Sequence, residues 1–278
     1  MKKMLSYVLF GSNGRYWKNL PYILVANSAI YPTFTMRFYV HSECSTLLYF
    51  NLLKELSKVT DRVEMELIDI PYKNTQLTTW RMKPLWEDNI EFLFCRDIDY
   101  LINKLERSAV QFFLNSSKGI HGIRSYHLHT TPLMAGLCGF RREKVIKKIK
   151  QIAFTFEDYL KWGEENVDYC KKGWIWGCDQ ALLKFFFQYV GLFSDTLDCP
   201  QFDAPKNIID FNPTVVECGY YENIDIEDCD NIVLTYSDLI ATGFTGRSNN
   251  ITTEQMKILF GMVDNDICKI VKGYVSGF

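Results

Sequence analysis

Ile90-Glu91-Phe92-Leu93-Phe94-Cys95-Arg96-Asp97-Ile98-Asp99 is an apolar run that stops at two acids one residue apart. Ile90 to Cys95 reads as a short buried strand. Carboxylates at the end of such a strand sit where open α/β sheets bind ligands, at the carboxyl edge. Carboxylate oxygens suit hard divalent cations, which bridge them to phosphates. The stretch therefore predicts a central strand whose end holds a metal against a diphosphate.

Working outward, the first part of the chain alternates strand and helix patterns. Met4 to Phe10 is a strand closed by Gly11-Ser12-Asn13-Gly14. A helix is expected from about Trp17 to Ala29, with Pro21 near its first turn. Met36 to Val40 is a second strand. Leu47, Leu48, Leu52, Leu53 and Leu56 repeat at helical spacing between Ser45 and Val59. Val63 to Ile68 is a third strand, and Thr78 to Trp86 a short helix carrying Arg81 and Lys83. This alternation implies a mostly parallel sheet with right-handed crossovers.

After the acids, Lys104 to Leu114 reads as a helix and Gly119 to Ile123 as a strand. Leu133 to Phe140 is a small-residue strand or loop, Glu143 to Ala153 a basic helix with a solvated face, and Asp179 to Val190 a buried helix. Thr252 with Gln255 has the form of a capping box opening a C-terminal helix to about Val263, with a shorter helix after it to Val271. The expected organisation is one domain over 1–250 and a helical extension over 251–278, packed on the same domain.

Bulk properties narrow the function classes. Apolar residues make up 47% of the 278, enough for a sizeable core and against global disorder. A net charge of −2 argues against a nucleic-acid binder, which needs a basic face. The nine cysteines are scattered and form no Cys-x-x-Cys pair, so they read as free thiols in a reducing compartment rather than a zinc framework. No stretch reaches the roughly 20 apolar residues of a spanning helix. A soluble, cytoplasmic protein without a transmembrane segment is expected.

Further motifs follow the acids in order: Arg107-Ser108-Ala109-Val110, Gly119-Ile120-His121-Gly122-Ile123-Arg124 with His129 beyond, Met134-Ala135-Gly136-Leu137-Cys138-Gly139-Phe140, and Gly177-Cys178-Asp179-Gln180. From Met4 to Val190, and most clearly from Phe92 to Leu183, this order resembles a group of GT-A fold glycosyltransferases. Members carry an Arg-Asp-x-Asp strand end, a later Arg-Asp-His-Pro-like stretch, a Gly-rich segment and an Asp-Gln before a helix. The chain departs from that pattern at Ser125-Tyr126-His127, Tyr100, Ala135 and Cys138.

The resemblance implies a Rossmann-like, mostly parallel sheet flanked by helices, and a metal-dependent hexosyl- or pentosyltransferase. The donor would be a nucleotide diphosphate sugar (a UDP- or GDP-sugar) and the acceptor a glycan or other hydroxyl compound. Asp97 and Asp99 would hold Mn²⁺ or Mg²⁺, with Asp97 shared between metal and ribose. Phe10, Gly11 and Asn13 would lie beside base and ribose, and Arg81 and Lys83 would reach ribose or phosphates. Gly136 and Gly139 would let the chain approach the donor sugar, and Asp179 would face the reacting sugar or acceptor hydroxyl. Arg124, His129, Trp174, Trp176 and Gln180 are candidates around sugar or acceptor. Asp264 and Asp266 are candidates for a third metal ligand.

Plainer readings stand beside these. Asp179 has the position of a helix N-cap, the tryptophans that of core residues, and Arg81 that of a surface ion-pair partner. Two other functions are weighed: a haloacid-dehalogenase-like phosphatase, whose first Asp is a nucleophile, and a non-catalytic nucleotide-sugar-binding module. Asp228-Cys229-Asp230 is a poor match for the later acidic motif of such a phosphatase.

Overall fold

The structure is a computed structural model describing residues 1–11, 14–71, 75–99, 104–124, 133–173, 177–200, 217–218 and 253–275. Its eight strands are β1 (Lys2–Leu9), β2 (Phe34–His41), β3 (Val63–Ile68), β4 (Ile90–Arg96), β5 (Ile120–Arg124), β6 (Leu137–Arg141), β7 (Thr196–Pro200) and the two-residue β8 (Glu217–Cys218). They form one sheet in the order β3-β2-β1-β4-β6-β5-β7-β8. β6 is antiparallel to β4 and β5, and every other pairing is parallel. The expected α/β class with a mostly parallel, helix-flanked sheet is therefore what the chain adopts.

The helices are α1 (Gly14–Ile30), α2 (Leu48–Val59), α3 (Lys104–Asn115), α4 (Arg142–Ile149), α5 (Phe156–Asn166), α6 (Asp168–Lys171), α7 (Cys178–Tyr189), α8 (Thr253–Met262) and α9 (Asp266–Tyr274). Two expectations need correction. α1 begins at Gly14, so Pro21 lies inside it rather than in its first turn, and the ring removes the bond to the Trp17 carbonyl. The segment carrying Arg81 is a run of 3₁₀ turns, Thr75–Trp86, and Pro84 within it has no N–H to give to an α ladder. A capping box occurs at α5. The Thr155 hydroxyl accepts from the Asp158 N–H while the Asp158 carboxylate accepts from the Thr155 N–H. Neither α5 nor α6 was expected, although Thr155-x-x-Asp158 was the available signal. Thr252 lies outside the described residues.

Two cores lie on the two faces of the sheet, and β4 feeds both by strand alternation. Phe92 and Phe94 join the core under α1, α2 and α3, whereas Leu93 and Cys95 join the core under the 3₁₀ segment, α4, α5 and α7. Helices α8 and α9 add Leu259, Phe260, Ile267 and Val271 to the first core, and Asn265 donates to the Ser28 hydroxyl at 2.9 Å. Among the described residues no helix is long and apolar enough to cross a membrane, and six cysteines are free and buried.

Candidate functional site

The chain runs outward from β1 through β2 to β3, then returns to place β4 on the other side of β1. The carboxyl ends of β1 and β4 therefore flank the point where strand order reverses, which opens a crevice in sheets of this kind. Phe10 and Gly11 follow β1 there, and Asp97 and Asp99 follow β4. Arg124 ends β5 at the same edge and is buried.

Alternation extends one residue beyond β4. Arg96 turns to the α3 side and Asp97 to the opposite side, toward the 3₁₀ segment and α7. There Arg81 joins two carboxylates. Its Nη1 donates to Asp97 Oδ1 and its Nη2 to Asp179 Oδ2 at 3.1 Å, while its Nε is held by the Thr78 carbonyl at 2.8 Å. The side chain of Arg81 is 7% exposed, that of Asp179 15%, and that of Asp97 48%. The bridge thus runs from a buried acid at the start of α7 to an acid that meets water.

Burial raises the Asp179 carboxyl above its ordinary range, opposed by Arg81 and reinforced by the negative charge of Asp97. Thr78 also bonds Asp179, a contact the sequence did not suggest. Burial by itself would lower the Arg81 guanidinium, but its two carboxylates more than reverse that. Arg81 is therefore a fixed cation beside the carboxyl end of β4.

The two glycines expected near the donor sugar each make room for a neighbouring side chain. A Cβ on Gly136 would lie 2.0 Å from Asp97 Oδ2, so the missing side chain makes room for the Asp97 carboxylate. A Cβ on Gly139 would lie 2.6 Å from the Phe94 ring, its partner across the β4–β6 ladder, so that glycine serves the core. Gln180, expected near sugar or acceptor, has a local role. Its Oε1 accepts from the Ala135 N–H at 2.6 Å and its Nε2 donates to the Leu133 carbonyl, clamping the strand entry that contains Gly136. The Asp97 N–H in turn donates to the Gly136 carbonyl at 3.1 Å.

Other expected residues are dispersed. Lys83 does not accompany Arg81: it pairs with Glu66 of β3 and lies 4.9 Å from the centre of the Trp80 ring. Two residues on, its side chain leaves the segment in another direction. Phe10 packs against the small cluster of Tyr39, Ile68 and Leu77. Gly11 turns the chain with φ +72° and its carbonyl accepts from Trp17 Nε1 at 2.7 Å. Asp264 and Asp266 are exposed beside α9 and pair with Lys269. Their neighbour Asn265 is tied to Ser28, near the end of α1 that leads into β2, so they sit toward the opposite sheet edge from Asp97. Asn13, His129, Trp174, Trp176 and Asp228-Cys229-Asp230 lie outside the described residues.

The ends of β2 and β3 add polar groups to the carboxyl edge that the sequence reading passed over. His41 Nε2 donates to the Ile70 carbonyl at 2.6 Å, and the Ser42 hydroxyl donates to Asp69 at 2.8 Å. Polar residues directly after an apolar strand were the signal.

Among the described residues no group of three or more His, Cys, Asp or Glu could hold a metal ion. Asp97 and Asp99 supply only hard oxygens, and Asp97 is open to water. This donor set fits a cation that keeps several waters and completes its shell with substrate phosphates, and not a closed all-protein cage. No family model matches the chain, and no curated protein matches it.

Proposed function

We propose that the chain is a metal-dependent glycosyltransferase that takes a sugar from a nucleotide diphosphate sugar to a hydroxyl acceptor. The observation that carries this reading is the Asp97–Arg81–Asp179 bridge, set at the carboxyl edge where strand order reverses between β1 and β4. The motif resemblance and the mostly parallel sheet agree with it.

Asp97 and Asp99 would hold Mn²⁺ or Mg²⁺, which when bound neutralises charge on the leaving diphosphate. Arg81 fixes the orientation of Asp97 and contributes positive charge of its own beside the phosphate position. Asp179, held mostly out of water and with its pKa raised, meets the reacting sugar or the acceptor hydroxyl. Gln180 and Gly136 keep the floor under Asp97 in place.

Calorimetric titration of UDP and GDP with and without Mn²⁺ tests the reading. One nucleotide is expected to bind only with metal, and Asp97→Ala and Asp99→Ala are each expected to abolish that binding with the melting temperature nearly unchanged. Folded protein that binds neither nucleotide under either condition removes the proposal.

A further inference from the structure

We infer that the buried Arg96–Glu106 ion pair is a positioning device for the acidic turn, setting where Asp97 and Asp99 present their oxygens; the inference rests on the metal–nucleotide reading of those acids. Arg96 and Glu106 are 2% and 0% exposed, and Arg96 Nε donates to Glu106 Oε1 at 2.8 Å. Arg96 is the last residue of β4, directly before Asp97, and Glu106 lies in the first turn of α3. The ion pair therefore ties the end of β4 to the start of α3.

Arg96 does more than pair. Its Nη1 donates to the Cys95 carbonyl at 2.8 Å and the Cys138 carbonyl at 2.9 Å. Cys95 and Cys138 face each other in the β4–β6 ladder. One guanidinium therefore locks together the ends of the two strands that carry Asp97 and Gly136, from the side of the sheet opposite to the Asp97 carboxylate. The ring of Phe94, 5.5 Å away, backs it.

Stability alone does not account for this choice. Apolar side chains of similar volume fill such a space as well as a buried ion pair does, or better. Arg96 Nη2 is buried with no partner among the described residues, an extra cost that an apolar pair would avoid. Direction is what the charged pair supplies and an apolar pair lacks. Metal ligands need it, because their oxygens must be held to within about 0.5 Å.

The test compares the full chain with R96M/E106L, an apolar replacement of both partners, and reads three quantities. The melting temperature is expected to stay close to that of the wild type. Mn²⁺-dependent UDP or GDP affinity is expected to fall by about tenfold or more, as when supporting groups of a metal site are lost. Amide hydrogen exchange at Asp97 to Asp99 is expected to accelerate while exchange in β1 and β2 does not change. A double variant that melts, binds and exchanges like the wild type overturns the inference. Should the wild type bind no nucleotide, the functional reading fails, and exchange at the acidic turn still decides the positioning role: local acceleration supports it and unchanged rates sink it. Should the double variant not fold, Arg96→Lys takes its place. That variant keeps the charge opposite Glu106 but loses the fork to both carbonyls, and the same exchange and affinity results decide.

Discussion

Arg81 and Arg96 are both nearly buried, both pair with acids and both act on the end of β4, yet they belong to different regions. Arg96 lies on the α3 side with Glu106, where neither partner touches water. Arg81 lies on the α7 side, and its chain of contacts ends at Asp97, about half exposed. The difference comes from strand alternation: Arg96 and Asp97 are neighbours in sequence and point to opposite faces. A buried pair fixes geometry, whereas a pair with one end open to water leaves that end available to a ligand.

Equal substitutions at the two arginines would sharpen the contrast most. Arg96→Met leaves Glu106 buried without its cation and should cost about 3–5 kcal/mol in urea unfolding. Arg81→Met should cost less, about 2 kcal/mol, because Asp97 rehydrates and Asp179 takes up a proton more readily than an ordinary carboxyl. Equal losses would break the distinction.

The two glycines facing the same strand end offer the next test. Gly139→Ala drives a methyl into the Phe94 ring and should cost about 1–3 kcal/mol. Gly136→Ala meets the Asp97 carboxylate, a movable side chain. It should barely alter melting but should weaken metal-dependent nucleotide binding. Calorimetry on both variants reads the two effects separately.

On the α3 side, His121 is buried between the Phe94 and Phe113 rings, with neither ring nitrogen bonded among the described residues. Burial, aided by Arg96, holds its pKa well below the usual 6.5. A lowered pKa in the folded state means stability that is complete above the unfolded value and is lost as pH falls toward the folded one. Below about pH 6.5 this residue should therefore cost the fold up to about 1.4 kcal/mol per pH unit. His121→Leu should flatten that part of the stability-against-pH curve. A curve as steep as that of the wild type would show that another group governs acid unfolding.

The smallest effect is expected at α5, away from both arginines. Thr155→Ala removes one half of the capping box and should cost about 1 kcal/mol in thermal unfolding. Nucleotide binding should not change.

Local pattern made much of this legible. The run from Ile90 to Cys95, the leucine stripe of α2 and the acids of β3 define their elements by period alone, and each lies within a few residues of its expected bounds. The acidic pair at the end of an apolar run lies, as expected, at the carboxyl end of β4. Where expectation failed, the deciding contact was distant in sequence or the signal was slight. α5 begins at a short capping box, Thr155-x-x-Asp158, a slight local signal. Arg81 and Lys83 look equivalent in sequence, and only Glu66 on one side and Asp179 on the other separate them.

The sequence by itself determined the alternation of strands and helices, the central strand β4 and the acids that follow it, because hydrophobic period and strand-end chemistry are properties of neighbouring residues. Tertiary structure alone decided that Arg81 joins Asp97 to Asp179, that Gly136 yields space to a carboxylate while Gly139 yields it to a ring, and that Gln180 clamps the strand entry at Leu133 and Ala135. Those outcomes depend on which residues 16 to 98 positions apart are brought together, and sheet order and packing set that pairing while no local pattern encodes it.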